Sequence, residues 1–186
     1  MTSRTAFLKS LLFAAMAAFA LTGLRPALAA DDHALAADAK AALNHLYSTS
    51  PAAKGLGEKA VGILVFPDVH KLGFIIGGQG GDGVLMQKGK ITGYYNTGAL
   101  SVGLQAGVQT YGYALFFMTA ADMAYLKKSG GWSIGTGPNI VIADAGGAKD
   151  VSTLTGQKGV YGFIFDQKGL MAGLGLQGQK INKIDR

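Results

Sequence analysis

The chain has 186 residues, a formal net charge of +6, 29 glycines and no cysteine. The lack of thiols excludes disulfides, thiolate metal sites and a cysteine nucleophile together, so stability must come from a packed core. The charge is scattered, with no basic run beyond Lys127-Lys128 and no basic-aromatic motif, which argues against nucleic acid as a partner.

Met1 to Lys9 carries Arg4 and Lys9, Leu11 to Leu24 is apolar and uncharged, and Ala27-Leu28-Ala29 offers an A-x-A site. Residues 1–30 therefore read as a cleaved secretory signal peptide, cut after Ala29 or Ala30. The apolar run is short for a membrane span and is closed by Arg25-Pro26. Loss of Arg4, Lys9 and Arg25 lowers the formal net charge from +6 to +3. Residues 31–186 are then one domain, expected to be periplasmic or secreted, with a mildly basic surface that permits contact with anionic lipid.

From Asp32 to Tyr47, Leu35, Ala39, Ala42, Leu43 and Leu46 form one helical stripe, and Asp31 or Asp32 is the expected cap. Ser50-Pro51 predicts a second short helix over Ala52 to Lys59. Strand periodicity follows: Val61 to Phe66, stopped by Pro67, then Gly73 to Gly78, Gly83 to Gln87, Ile91 to Tyr95 and Leu100 to Gln109. Lys88-Gly89 is the expected hairpin turn. The glycine-dense Gly77 to Gly83 lacks a P-loop's lysine and hydroxyl, and reads as a hairpin or bulge.

Tyr111 to Met118 predicts another strand, and Thr119 to Asp122 has capping-box spacing for a helix running to about Lys128, with Gly130 as its stop. Strands around Trp132 to Thr136, Ile140 to Ala143, Val160 to Phe165 and Leu170 to Gln179 complete the chain, the last two joined by a turn at Asp166 to Gly169. The expected fold is α+β: a strongly twisted antiparallel sheet or small β-barrel of many short glycine-rich strands, with an N-terminal helix and one internal helix. Glycines inside apolar alternation, as in Ser101 to Gln109, suggest strong curvature or close approach by another backbone or a ligand.

Catalytic constellations are scarce. His33, His45 and His70 show no metal-ligand spacing, although His70 beside Asp68 invites a metal or acid-base reading that a solvated turn explains as well. No serine lies in a G-x-S-x-G elbow. Gly173 to Gly178 spells G-x-G-x-x-G, but the chain ends too soon for the acidic residue of a dinucleotide site. The expectation is a protein that is not an enzyme, with no cofactor, no metal and no catalytic residue.

Several ordered motifs carry a likeness to a known family. Ser50-Pro51-Ala52-Ala53, Val61 to Val69 with Lys71 and Gly73-Phe74, Gly98 to Gly107, and Lys168 to Gly173 together resemble the SYLF domain family of lipid-binding proteins, over about residues 40–182. The resemblance implies anionic-lipid binding, and actin binding as in some eukaryotic members; an exported chain does not meet cytosolic actin, so actin is not an expected partner. It also implies membrane contact through an amphipathic N-terminal segment and basic residues. Those map onto Leu35, Leu43 and Leu46 and onto Lys71, Lys88 and Lys90, with Lys127 and Lys128 as further basic candidates. The polar face of the helix sets Lys40 against Asp31, Asp32 and Asp38, which favours packing on the sheet over lying in a membrane. The expected function is weak, salt-sensitive association with an anionic lipid surface or an envelope partner. The alternative is a small outer-membrane β-barrel or a structural envelope protein.

Overall fold

The computed structural model describes residues 24–73, 76–102, 107–128, 130–144, 159–169, 176 and 178–186. The chain forms two compact units, residues 1–34 with Arg186, and Leu35–Asp185. In the first, Arg186 donates to the Asp32 carboxylate at 3.4 Å.

Helix α1 spans Leu24–Thr49 and α2 spans Pro51–Gly57. The first begins before the expected Asp31 or Asp32 cap, because alanine and leucine dominate residues 27–39 and Pro26 sits in the first turn, where its missing N–H costs nothing. Ser50 caps α2 as expected, its hydroxyl accepting from the Ala53 amide at 3.3 Å.

Eight strands follow: β1 Gly62–Gly73, β2 Ile76–Gln87, β3 Lys90–Val102, β4 Gly107–Phe117, β5 Trp132–Ser133, β6 Ile140–Asp144, β7 Val160–Gly169 and β8 Lys180–Ile184. Between β4 and β5, helix α3 (Ala120–Met123) starts on Thr119, whose hydroxyl oxygen accepts from the Asp122 amide, and continues as a 3-10 turn, Ala124–Lys127. The strands make one sheet in the order β5-β8-β3-β2-β1-β4-β7-β6. All neighbours run antiparallel except β6 and β7, which are parallel, so the sheet is mixed rather than purely antiparallel.

Several boundaries differ from those expected. Pro67 does not end β1: the register with β4 shifts between Phe66 and Val69, and the proline lies in that bulge, where no ladder N–H is required. The Gly77 to Gly83 run is no hairpin but the middle of β2, paired with β3 throughout and with β1 from Gly77 to Gly80, beyond which the expected irregularity falls in the β1 register. The supposed strand Leu100 to Gln109 is divided between the end of β3 and the start of β4, which are not neighbours in the sheet. There the expected alternation inverts, since Val108 is exposed and Gln109 buried. Asp166 to Gly169 is also not a turn; it continues β7, with Asp166 at φ 53° where the β4 register shifts. The expected strand over Leu170 to Gln179 and the G-x-G-x-x-G run lie mostly outside the described residues, and β8 was not anticipated. The Lys88-Gly89 turn stands, both residues having positive φ.

The sheet is buried on both faces at one end. On the outer face Leu43 and Leu46 of α1 and Ala53 and Leu56 of α2 join Ile63, Val65, Val84, Phe116 and Phe163 in one cluster. On the inner face the sheet curls round on itself. The Trp132 ring of edge strand β5 lies 5.9 Å from that of Phe117 on β4, although four strands separate them in the sheet. A strongly twisted α+β sheet, close to half a barrel, is thus the observed architecture.

Candidate functional site

Helices cover only part of the outer face. Beyond them, the register places Leu100, Gly78, Leu72 and Val108 side by side on β3, β2, β1 and β4. Leu72 is 55 %, Leu100 88 % and Val108 61 % exposed, and Ile76, two residues from Gly78 on the same face, is 72 % exposed. At strand spacing this apolar row is roughly 15 Å wide. The adjacent row reads Lys180, Gly98, Gly80, His70, Thr110 and Lys168 on β8, β3, β2, β1, β4 and β7. Two lysines therefore flank the apolar residues about 24 Å apart. Glycines between them keep the surface low, and His70 Nδ1 lies 3.2 Å from Thr110 Oγ1. His70 is thus on a strand face rather than in a turn, and no group of three or more metal-binding side chains lies together among the described residues.

Inside the curl, polar groups form a chain across strands. The Tyr113 hydroxyl donates to Thr97 Oγ1 at 2.7 Å, Thr97 Oγ1 donates to Gln179 Oε1 at 2.8 Å, the Gln179 amide donates to the Tyr111 oxygen at 3.0 Å, and the Tyr111 hydroxyl donates to Gln79 Oε1 at 3.0 Å. Burial pushes the Tyr111 phenol up to about 12, against the opposing hydrogen bond from Gln179, and holds Tyr113 well above its ordinary value. Lys71 and Gln109 lie one row further along the same inner face, and both are buried.

The lipid-contact residues named from sequence are not brought together. Leu43 and Leu46 are spent on the core and Leu35 is packed against it, so α1 presents no free apolar stripe through them. The favourable energy of burying a leucine is already realised on the sheet. Lys71 points into the curl rather than to solvent. Lys88 and Lys90 are exposed at the β2–β3 hairpin, roughly 35 Å along β2 from Ile76. Lys127 closes the 3-10 turn, and Lys128 sits over the Tyr125 ring at 3.8 Å. Near the hairpin, an open cleft of about 630 Å³ is lined by Leu43, Tyr47, Met86, Lys88 and Met123 among others. Sequence reading missed Leu72, Ile76, Leu100, Val108, Lys168 and Lys180. Their only sequence signal is alternation, and its register is set by the bulge at Pro67.

Residues 98–185 match the family model described as Ysc84, Las17-binding protein actin regulator. No curated protein matches the chain.

Proposed function

We propose that this chain, whose residues 98–185 carry a Ysc84 (SYLF) domain, is a non-enzymatic module that rests on an anionic lipid surface through the uncovered outer face of β1 to β4. That family is associated with lipid binding and actin regulation. The observation that carries the reading is the exposed row of Leu72, Leu100 and Val108 with Ile76, flanked by Lys168 and Lys180. A contiguous exposed apolar patch rimmed by cations marks a contact surface. Each apolar side chain fully withdrawn from water contributes roughly 1.5–3 kcal/mol, and each lysine about 1 kcal/mol at an anionic surface. Partial insertion of four side chains with two lysines supports weak binding that salt diminishes.

The leader-like pattern of residues 1–30 supports export, and an exported chain meets lipid or envelope partners rather than cytosolic actin. Helices α1 and α2 pack on the outer sheet face, which a lipid-embedded barrel would present to the bilayer. No described helix is long and apolar enough to cross a membrane. Co-sedimentation with vesicles of phosphatidylglycerol and phosphatidylcholine tests the proposal. Binding should rise with the anionic fraction, fall with salt, and drop about tenfold or more in Leu72→Asp/Leu100→Asp. Binding that ignores lipid charge, or that survives both aspartates, would refute it.

A further inference from the structure

The open cleft beside the β2–β3 hairpin shares no residue with the outer apolar row. Its floor is apolar, lined by Leu43 of α1, Ile63 of β1, Met86 of β2 and Met123 of α3. Leu43 and Ile63 keep 8 % and 9 % of their surface exposed, more than any other buried member of the outer-face cluster, so the core is opened to solvent at this point. The volume, about 630 Å³, is that of a site for one small ligand rather than for a stretch of bilayer. Two of the four floor residues are methionines, whose unbranched thioethers adapt to a flexible chain.

The rim carries opposite charges from two separate elements. Lys88, in the hairpin turn, and Glu58, which ends α2, both line the cleft and are both exposed. Among the described residues neither side chain has an ion-pair or hydrogen-bond partner, and they do not pair with each other. Lys88 stands at φ 50°, a turn position that asparagine, aspartate or glycine fills more readily, so the turn itself does not call for lysine. Tyr47 adds a neutral polar group. Its ring packs against that of Phe116 at 6.4 Å, and its hydroxyl crosses Gly57 so closely that a Cβ there would collide with it. Burial first, and then the Glu58 carboxylate, push this phenol up to about 12, which places Glu58 near it. The hydroxyl has no hydrogen-bond partner among the described residues.

We propose that this cleft binds a monoacyl amphiphile with a zwitterionic head. The acyl chain lies along Leu43, Ile63, Met86 and Met123. Lys88 pairs with the oxyanion of the head, and Glu58 takes its ammonium, with the Tyr47 phenol oxygen as a second acceptor. Charge complementarity decides the class, since a singly charged amphiphile leaves one rim charge unpaired and is repelled by the other. The ligand enters as one molecule, so the site goes beyond contact with a membrane surface and does not depend on it.

The test is titration of the full chain with lauroyl lysophosphatidylethanolamine, lauroyl lysophosphatidylglycerol and dodecylamine, each below its micelle concentration, followed through the Met86 and Met123 methyl signals by NMR. The ethanolamine lipid should shift both signals saturably and bind about threefold or more tighter than either other probe, the scale of one exposed ion pair. Glu58→Gln should erase its advantage over the glycerol lipid, and Lys88→Gln should weaken both lysophospholipids about threefold. Both positions are exposed, which keeps the fold out of the comparison. Leu72→Asp/Leu100→Asp should titrate as wild type while losing phosphatidylglycerol vesicles, so the two proposals fail separately. No saturable shift with the ethanolamine lipid, equal affinity for all three probes, or affinities unchanged in either charge variant would overturn the site.

Discussion

Gly83 and Gly78 stand five residues apart on β2, and what they face differs entirely. A Cβ on Gly83 would lie 2.5 Å from the Val65 carbonyl oxygen and 2.6 Å from the Phe66 ring, whereas one on Gly78 would meet nothing closer than 3.9 Å. The first glycine permits the bulged part of β1 to approach; the second merely leaves the outer face low. Gly83→Ala should therefore destabilise the fold by roughly 1–3 kcal/mol through forced displacement of β1. Gly78→Ala should stay within about 0.5 kcal/mol of wild type or gain slightly from a less free unfolded chain. Urea denaturation of the two variants measures both, and equal losses would refute close approach as the reason for Gly83.

Among the elements, α1 and α2 show how far sequence pattern reaches. Leu46 is fully buried under the sheet's outer face, so Leu46→Ala should cost about 2–5 kcal/mol, while Ser50→Ala, which removes the α2 cap, should cost about 1 kcal/mol. Both are read from denaturation midpoints, and similar small losses would show that α1 is only loosely docked. The helical stripe, the Ser50 and Thr119 caps and the Lys88-Gly89 turn were legible because each depends on residues within one turn of each other. The strands were legible as apolar alternation, yet their bounds were not. Pro67 is a terminator locally and a bulge once β4 pairs across it, and that pairing joins residues more than forty positions apart. Val108 and Gln109 exchanged sides for the same reason: the alternation fixes a period, while the partner strand fixes the phase. The candidate surface was invisible because Leu100, Leu72 and Val108 become neighbours only through register, and Lys71 was misread as a surface cation because nothing local marks it as facing inward.

At the scale of the whole molecule, the curl brings β2, β4, β3 and the residue before β8 around a shared interior whose polar atoms are held in one chain from Tyr113 to Gln79. That arrangement sets an alkaline limit. Tyr111 is pushed up to about 12 and Tyr113 well above its ordinary value, both first by burial, whereas in the unfolded chain each phenol ionises near pH 10. Between pH 10 and the higher folded values the unfolded chain holds fewer protons than the folded one, so stability falls as pH rises; below pH 10 these groups leave it unchanged. Each phenol removes on the order of 1 kcal/mol per pH unit across that window. Urea midpoints should thus be insensitive to these tyrosines up to about pH 9.5 and decline steeply above pH 10, with the ultraviolet tyrosinate band of the interior phenols growing only as the protein unfolds. Tyr113→Phe removes one of the two phenols and with it the hydrogen bond to Thr97, so it should lower stability by about 1 kcal/mol at neutral pH yet flatten the alkaline decline. A variant whose alkaline slope matches the wild type would mean that the curl does not hold these phenols neutral, and that the interior is wetter than its hydrogen-bond chain implies.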